Sequence, residues 1–143
     1  MKTYEDTFRL SSKEGKFPKY KFFTEEKAEQ KFEDLFSSFD LLDADKKLLD
    51  NISVKNAGRF RGITDESSFQ LSKHLKTSNI IARSEVHIYY LNSSRVYEFK
   101  TIDVDTFFDD IFYPGANDIM ISDEALTWMV YVDHDCGLYE FWE

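Results

Sequence analysis

Residues 126–132 read LTWMVYV, and Trp128, Met129, Val130, Tyr131 and Val132 place apolar side chains on both sides of an extended chain. Successive side chains of a strand point to opposite faces. A strand that is apolar on both sides therefore belongs in the interior of a sheet, covered above and below. Two further strands flank it. DIMIS (118–122) precedes it and LYEFW (138–142) follows it, with turns at Asp123-Glu124 and at His134-Asp135-Cys136-Gly137. Upstream, EVHIYYL (85–91) and RVYEFKT (95–101), separated by Asn92-Ser93-Ser94, alternate as the two arms of a β-hairpin. Tyr97 and Phe99 share one face of the second arm, and Glu98 and Lys100 share the other, which predicts one wet side.

Between these strands the period changes. In DVDTFFDDIF (103–112) the apolar residues Val104, Phe107, Phe108, Ile111 and Phe112 recur at helical spacing. Asp103 is placed to cap this helix and Pro114-Gly115 to end it. Near the start, Thr24 reads as an N-cap followed by Glu25 and Glu26, where the helix dipole favours negative charge. Ala28, Phe32, Leu35, Phe36 and Phe39 then form an apolar stripe that predicts core packing. A second helix is expected from Asp43, with Ala44, Leu48, Leu49 and Ile52 inward, ending before Gly58. A third is expected from Thr64 to about Lys76, anchored by Phe69, Leu71 and Leu75. Phe17, Tyr20, Phe22 and Phe23 are expected to tuck onto the domain as loop or short strand, and RFRG (59–62) to be a loop whose two arginines could meet an anion. The expectation is a single α+β domain over residues 1–143: N-terminal helices, then a ββαβββ mostly antiparallel sheet packed by helices. A length of 143 residues suits one such core.

Charge is segregated along the chain. Residues 101–143 hold eight Asp, three Glu and no Lys or Arg, a formal charge of −11, whereas residues 1–100 carry 16 acids and all 18 bases. Self-repulsion of that kind is destabilising. A net charge of −9 argues against nucleic acid as a ligand, because phosphate binding needs concentrated Lys and Arg. The lysines of SSKEGKFPKYKFF (11–23) are the one counter-signal. A lone cysteine, Cys136, fits a reducing compartment. With no signal-peptide core in MKTYEDTFRL and no run of membrane-span length, the expected setting is the cytoplasm, away from membranes.

Few constellations carry chemistry. Asp133-His134-Asp135-Cys136 offers metal-ligand and nucleophile types, but adjacent residues at a strand end point in alternating directions and cannot all converge on one ion. A polar turn is the expected reading, with a small metal-dependent enzyme using His134 as an alternative. Counting an EF-hand loop from Asp103 puts Phe108 and Pro114 where glycine and glutamate are needed, so that motif fails. Paired carboxylates for glycoside hydrolysis cannot be selected among so many acids. No phosphate-loop, dinucleotide or nucleophile-elbow motif is present. The expectation is a protein without catalytic residues, metal or cofactor.

A fixed acidic surface on a compact scaffold suits a basic protein partner. The ending YPGANDIMISDEALTWMVYVDHDCGLYEFW (113–142), with its acidic turn and Trp-bearing strand running into a histidine, resembles the small acidic immunity proteins of bacterial toxin–immunity systems. The resemblance implies a non-enzymatic protein that neutralises one cognate toxin, often a nuclease. A nucleic-acid mimic that inhibits DNA- or RNA-handling enzymes is the other binding reading. The expected partner-binding residues are Asp105, Asp109 and Asp110 on the helix and Asp123, Asp133 and Asp135 at the turns. Tyr139 and Trp142 are candidate aromatic anchors, of the types that dominate interface energetics, with core packing the alternative and favoured role for both.

Overall fold

The computed structural model of the chain describes residues 19–39, 59–63, 69–91, 93–112, 118–133 and 137–142, with the side chains of 59–63, 109–110 and 142 outside that description. Among the described residues seven strands form one sheet: β1 (Lys21–Phe22), β2 (Arg59–Ile63), β3 (Glu85–Tyr90), β4 (Arg95–Lys100), β5 (Ile119–Ser122), β6 (Trp128–Val132) and β7 (Gly137–Trp142). Their order across the sheet is β1-β4-β3-β5-β6-β7-β2, and each neighbouring pair is antiparallel. Among the described residues three helices pack on it: α1 (Glu25–Ser38), α2 (Leu71–Lys76) and α3 (Thr101–Ile111).

The doubly apolar strand lies where its pattern requires. β6 runs between β5 and β7 and is buried at all five positions. Its alternation divides the core into two layers. Trp128, Val130 and Val132 join Leu71 and Leu75 of α2 and Val104, Phe108 and Ile111 of α3. Met129 and Tyr131 point the other way, into a cluster with Ala28 and Leu35 of α1. Helices thus cover both faces, α2 and α3 on one and α1 on the other.

Local chemistry explains α1. The Thr24 hydroxyl oxygen accepts a hydrogen bond from Lys27 N at 3.3 Å, satisfying one of the free N–H groups at the helix start. Its Phe32, Phe36 and Phe39 pack against the second cluster, as the stripe predicts.

Four expectations need correction. The helix expected from Asp103 begins at Thr101 instead, with Lys100 in the capping position and no side-chain cap. Strand contacts replace the cap: Thr101 N donates to Ser84 O at 2.8 Å and the Thr101 hydroxyl donates to Arg83 O. Asp103 lies in the first turn, where its charge still suits the dipole. The helix expected over 64–76 is six residues long, because Phe69 and Gln70 are not helical. The strand expected from Leu126 begins at Trp128, since Leu126 has a left-handed backbone (φ 57°) and Thr127 belongs to the turn. Arg59–Ile63 is a strand rather than a loop, paired with β7 at the sheet edge through a register shift between Phe60 and Gly62. The helix expected over 43–57, the Pro114-Gly115 stop and the 134–136 turn lie outside the described residues.

Candidate functional site

The acids of the last third serve the fold to an extent their charge did not suggest. The Asp105 carboxylate is half-buried and accepts from Ser72 N at 2.9 Å and Ser72 Oγ at 2.5 Å, tying α3 to the first turn of α2. Asp123 is buried and accepts from Thr127 N at 2.8 Å and from the Thr127 hydroxyl, closing the β5–β6 turn. Asp133 closes the β6–β7 turn: its Oδ1 accepts from Gly137 N at 2.7 Å, and its N–H donates to Gly137 O at 2.9 Å. A Cβ on residue 137 would lie 2.9 Å from Asp133 Oδ2, so any other residue there would push the Asp133 side chain out of its present position. Asp118 is buried too, and accepts from Tyr131 Oη at 3.1 Å.

The expected binding residues do not form one tight cluster. Asp123 and Asp133 stand at opposite ends of the five-residue β6, a separation of roughly 17 Å at about 3.3 Å per residue. α3, carrying Asp105, Asp109 and Asp110, begins at the end where β4 finishes and β5 meets its turn. Tyr139 is half-buried and stacks on Tyr131 with ring centroids 5.8 Å apart. Trp142 pairs in register with Trp128. Asp135 lies outside the described residues, as do His134 and Cys136.

Two polar clusters escaped the sequence reading. On the face covered by α2 and α3, Glu140 of β7 has a fully buried side chain. Its Oε1 accepts from Ser78 Oγ at 2.5 Å and its Oε2 lies 3.4 Å from His74 Nε2. On the opposite face, His87 of β3 is buried and its Nε2 lies 3.1 Å from Glu98 Oε1 across the β3–β4 pair. Phe23 meets the His87 ring edge-on at 5.2 Å, and Lys31 Nζ stands 4.5 Å from the Phe23 ring centroid. The sequence did hold a signal for Glu140: it alternates with Leu138 and Trp142, which marks it as sharing their face.

Burial shifts the titration of His87, Tyr89 and Tyr131. It holds the His87 imidazole below the usual histidine range, and the hydrogen bond to Glu98 offsets that only in part. The Tyr89 hydroxyl is pushed up to about 12 by burial. Tyr131 is raised by burial and by Asp118 beside it. Both phenols therefore remain protonated near neutral pH and act as hydrogen-bonding groups. Among the described residues no group of three His, Cys, Asp or Glu side chains is placed to hold a metal ion, and no helix is long and apolar enough to cross a membrane.

Comparison with protein-family models, with curated proteins and with solved structures finds no match to this chain.

Proposed function

We propose that this protein is a non-enzymatic binding domain that docks on a basic protein, in the manner of a bacterial immunity protein neutralising a nuclease-type toxin. The observation that carries this reading is the concentration of eleven acids, with no lysine or arginine, in residues 101–143. A one-signed surface steers a basic partner toward it and confers specificity by charge matching. The geometry divides the candidate acids into two groups. Asp105, Asp123 and Asp133 have carboxylates engaged with their own chain. Among the described side chains, Asp103 and Glu124 accept no such bond; with Asp109 and Asp110, whose side chains lie outside that description, they are the acids proposed to meet a partner. Trp142 and Tyr139 remain candidate aromatic anchors at the end of the chain.

The test is capture of a partner from the source organism's lysate at low salt, followed by affinity measurement against the purified partner as ionic strength rises. A single basic protein is expected, released as salt screens the charges and inhibited when bound. Reversing Asp109, Asp110 and Glu124 to lysine should weaken binding by at least about a hundredfold and flatten its salt dependence, since like-charge contacts cost several kcal/mol. Unchanged affinity in that variant would overturn the reading. Capture of several nucleic-acid enzymes would point instead to a mimic of nucleic acid. Variants at Asp123 or Asp133 are unsuitable, because they disrupt turns.

A further inference from the structure

An open groove of about 490 Å³ lies where α3 leaves β4, on the path between α2 and β3. It is lined by Ser72, the segment Ala82, Arg83, Ser84 and Glu85, and the stretch Lys100, Thr101 and Ile102, with Asp105 at one side. The volume falls in the range of small-molecule sites, roughly 300–1,000 Å³. What the groove has left to offer follows from its hydrogen bonds. The Asp105 carboxylate is engaged by Ser72, and the Glu85 carboxylate accepts from Ser84 Oγ at 2.7 Å. All three hydroxyls donate within the chain, the third being Thr101 to Arg83 O. Arg83 and Lys100 are exposed, and among the described residues neither side chain makes a hydrogen bond or ion pair. Beside them Ile102 is 69 % exposed, and Ile81, next to the lining segment, is 81 % exposed.

We infer that this groove binds a small amphiphilic anion, a carboxylate or phosphate monoester carried on a short apolar body. The free donors on its wall are the cationic Arg83 and Lys100, so the ligand's polar end accepts hydrogen bonds; Lys100 stands opposite Glu85 in the β3–β4 register, which leaves Arg83 as the group that attracts an anionic end. The arginine fork matches either headgroup. Ile102 and Ala82 supply the contact for the apolar body, whose removal from water adds to the binding. This proposal does not depend on the docking reading.

The test uses the full chain labelled with ¹⁵N and ¹³C-methyl groups, with hexanoate, hexyl phosphate, hexanol and inorganic phosphate as probes. Hexanoate or hexyl phosphate should shift the Arg83 side-chain and Ile102 methyl signals saturably. A dissociation constant of about 1 mM is expected from about eight non-hydrogen atoms. Whichever of the two binds more tightly identifies the headgroup, and either order supports the site. Hexanol should bind at least about tenfold more weakly, and so should the Arg83→Gln/Lys100→Gln double variant toward both anions. Both side chains are exposed, so the variant's remaining spectrum should match the parent's. The proposal is overturned if hexanol binds as well as hexanoate. It also fails if inorganic phosphate alone binds as well, if the double variant binds unchanged, or if Arg83 and Ile102 show no saturable shift at about 10 mM probe.

Discussion

The two faces of the sheet each carry a histidine–glutamate pair, and the pairs are inverted. Under α2 the carboxylate of Glu140 is fully buried while the His74 side chain keeps 19 % exposure. Under α1 the His87 side chain is 3 % exposed while Glu98 keeps 29 %. The same two residue types thus sit in opposite dielectric settings. Water can solvate Glu98 if its partner is lost, whereas Glu140 relies on what the protein supplies, Ser78 and His74 among it. Removing one partner of a buried pair exacts a desolvation penalty that an exposed pair escapes. The α2 pair is therefore a structural commitment, and the α1 pair is a site sensitive to acid.

The largest expected effect tests whether the two layers fold as one unit. Leu35 of α1 and Leu75 of α2 are both fully buried, one under each face. Leu35→Ala and Leu75→Ala should each destabilise by about 3 kcal/mol. The double variant should lose about 6 kcal/mol, because sites separated by a sheet are additive. Urea unfolding followed by tryptophan fluorescence and by circular dichroism should give coincident single transitions in both single variants. Separate transitions would mean that the faces are independent.

Next in size is the inversion itself. Glu140→Ala should cost about 3 kcal/mol, and Glu140→Gln about 1 kcal/mol because it retains a hydrogen-bonding group for Ser78. Glu98→Ala should cost less than about 1 kcal/mol. Equal losses at Glu140 and Glu98 would remove the distinction between the faces.

The smallest effect appears only on acidification. Because the folded-state pKa of His87 is lowered from 6.5 by burial, the unfolded chain binds its proton more readily. The stability contributed by neutral His87 is therefore complete above pH 6.5 and declines as pH falls below it, down to the folded pKa. Comparing urea midpoints between about pH 7.5 and about pH 5, His87→Gln should lose less stability than the parent. A parallel decline in the two proteins would show that His87 does not titrate in this way.

Some of this molecule was readable in one dimension. The Thr24 cap, the α1 stripe, the 85–100 hairpin and the interior position of β6 are encoded within about fifteen residues each. Local periodicity or a single side-chain contact is enough to specify them. α3 was readable in its apolar face but not in its start. The carbonyls that satisfy Thr101 belong to Arg83 and Ser84, which come from another part of the chain. β2 was missed because its partner β7 lies more than seventy residues away and RFRGI is too short to declare itself. The candidate site was legible as composition: the acids could be counted. Which of them would turn inward could not be read, since Asp105 depends on Ser72, 33 residues upstream.

The sequence by itself determined an α+β domain with a central strand buried on both sides and an acidic last third. These are properties of residue types and their period. Tertiary structure alone decided that helices cover both faces and that Glu140 is buried beside His74. It also decided that Asp105, Asp123 and Asp133 are spent on holding the chain together. Strand register and helix packing bring together residues tens of positions apart, and only that proximity fixes which polar groups meet a donor and which meet water.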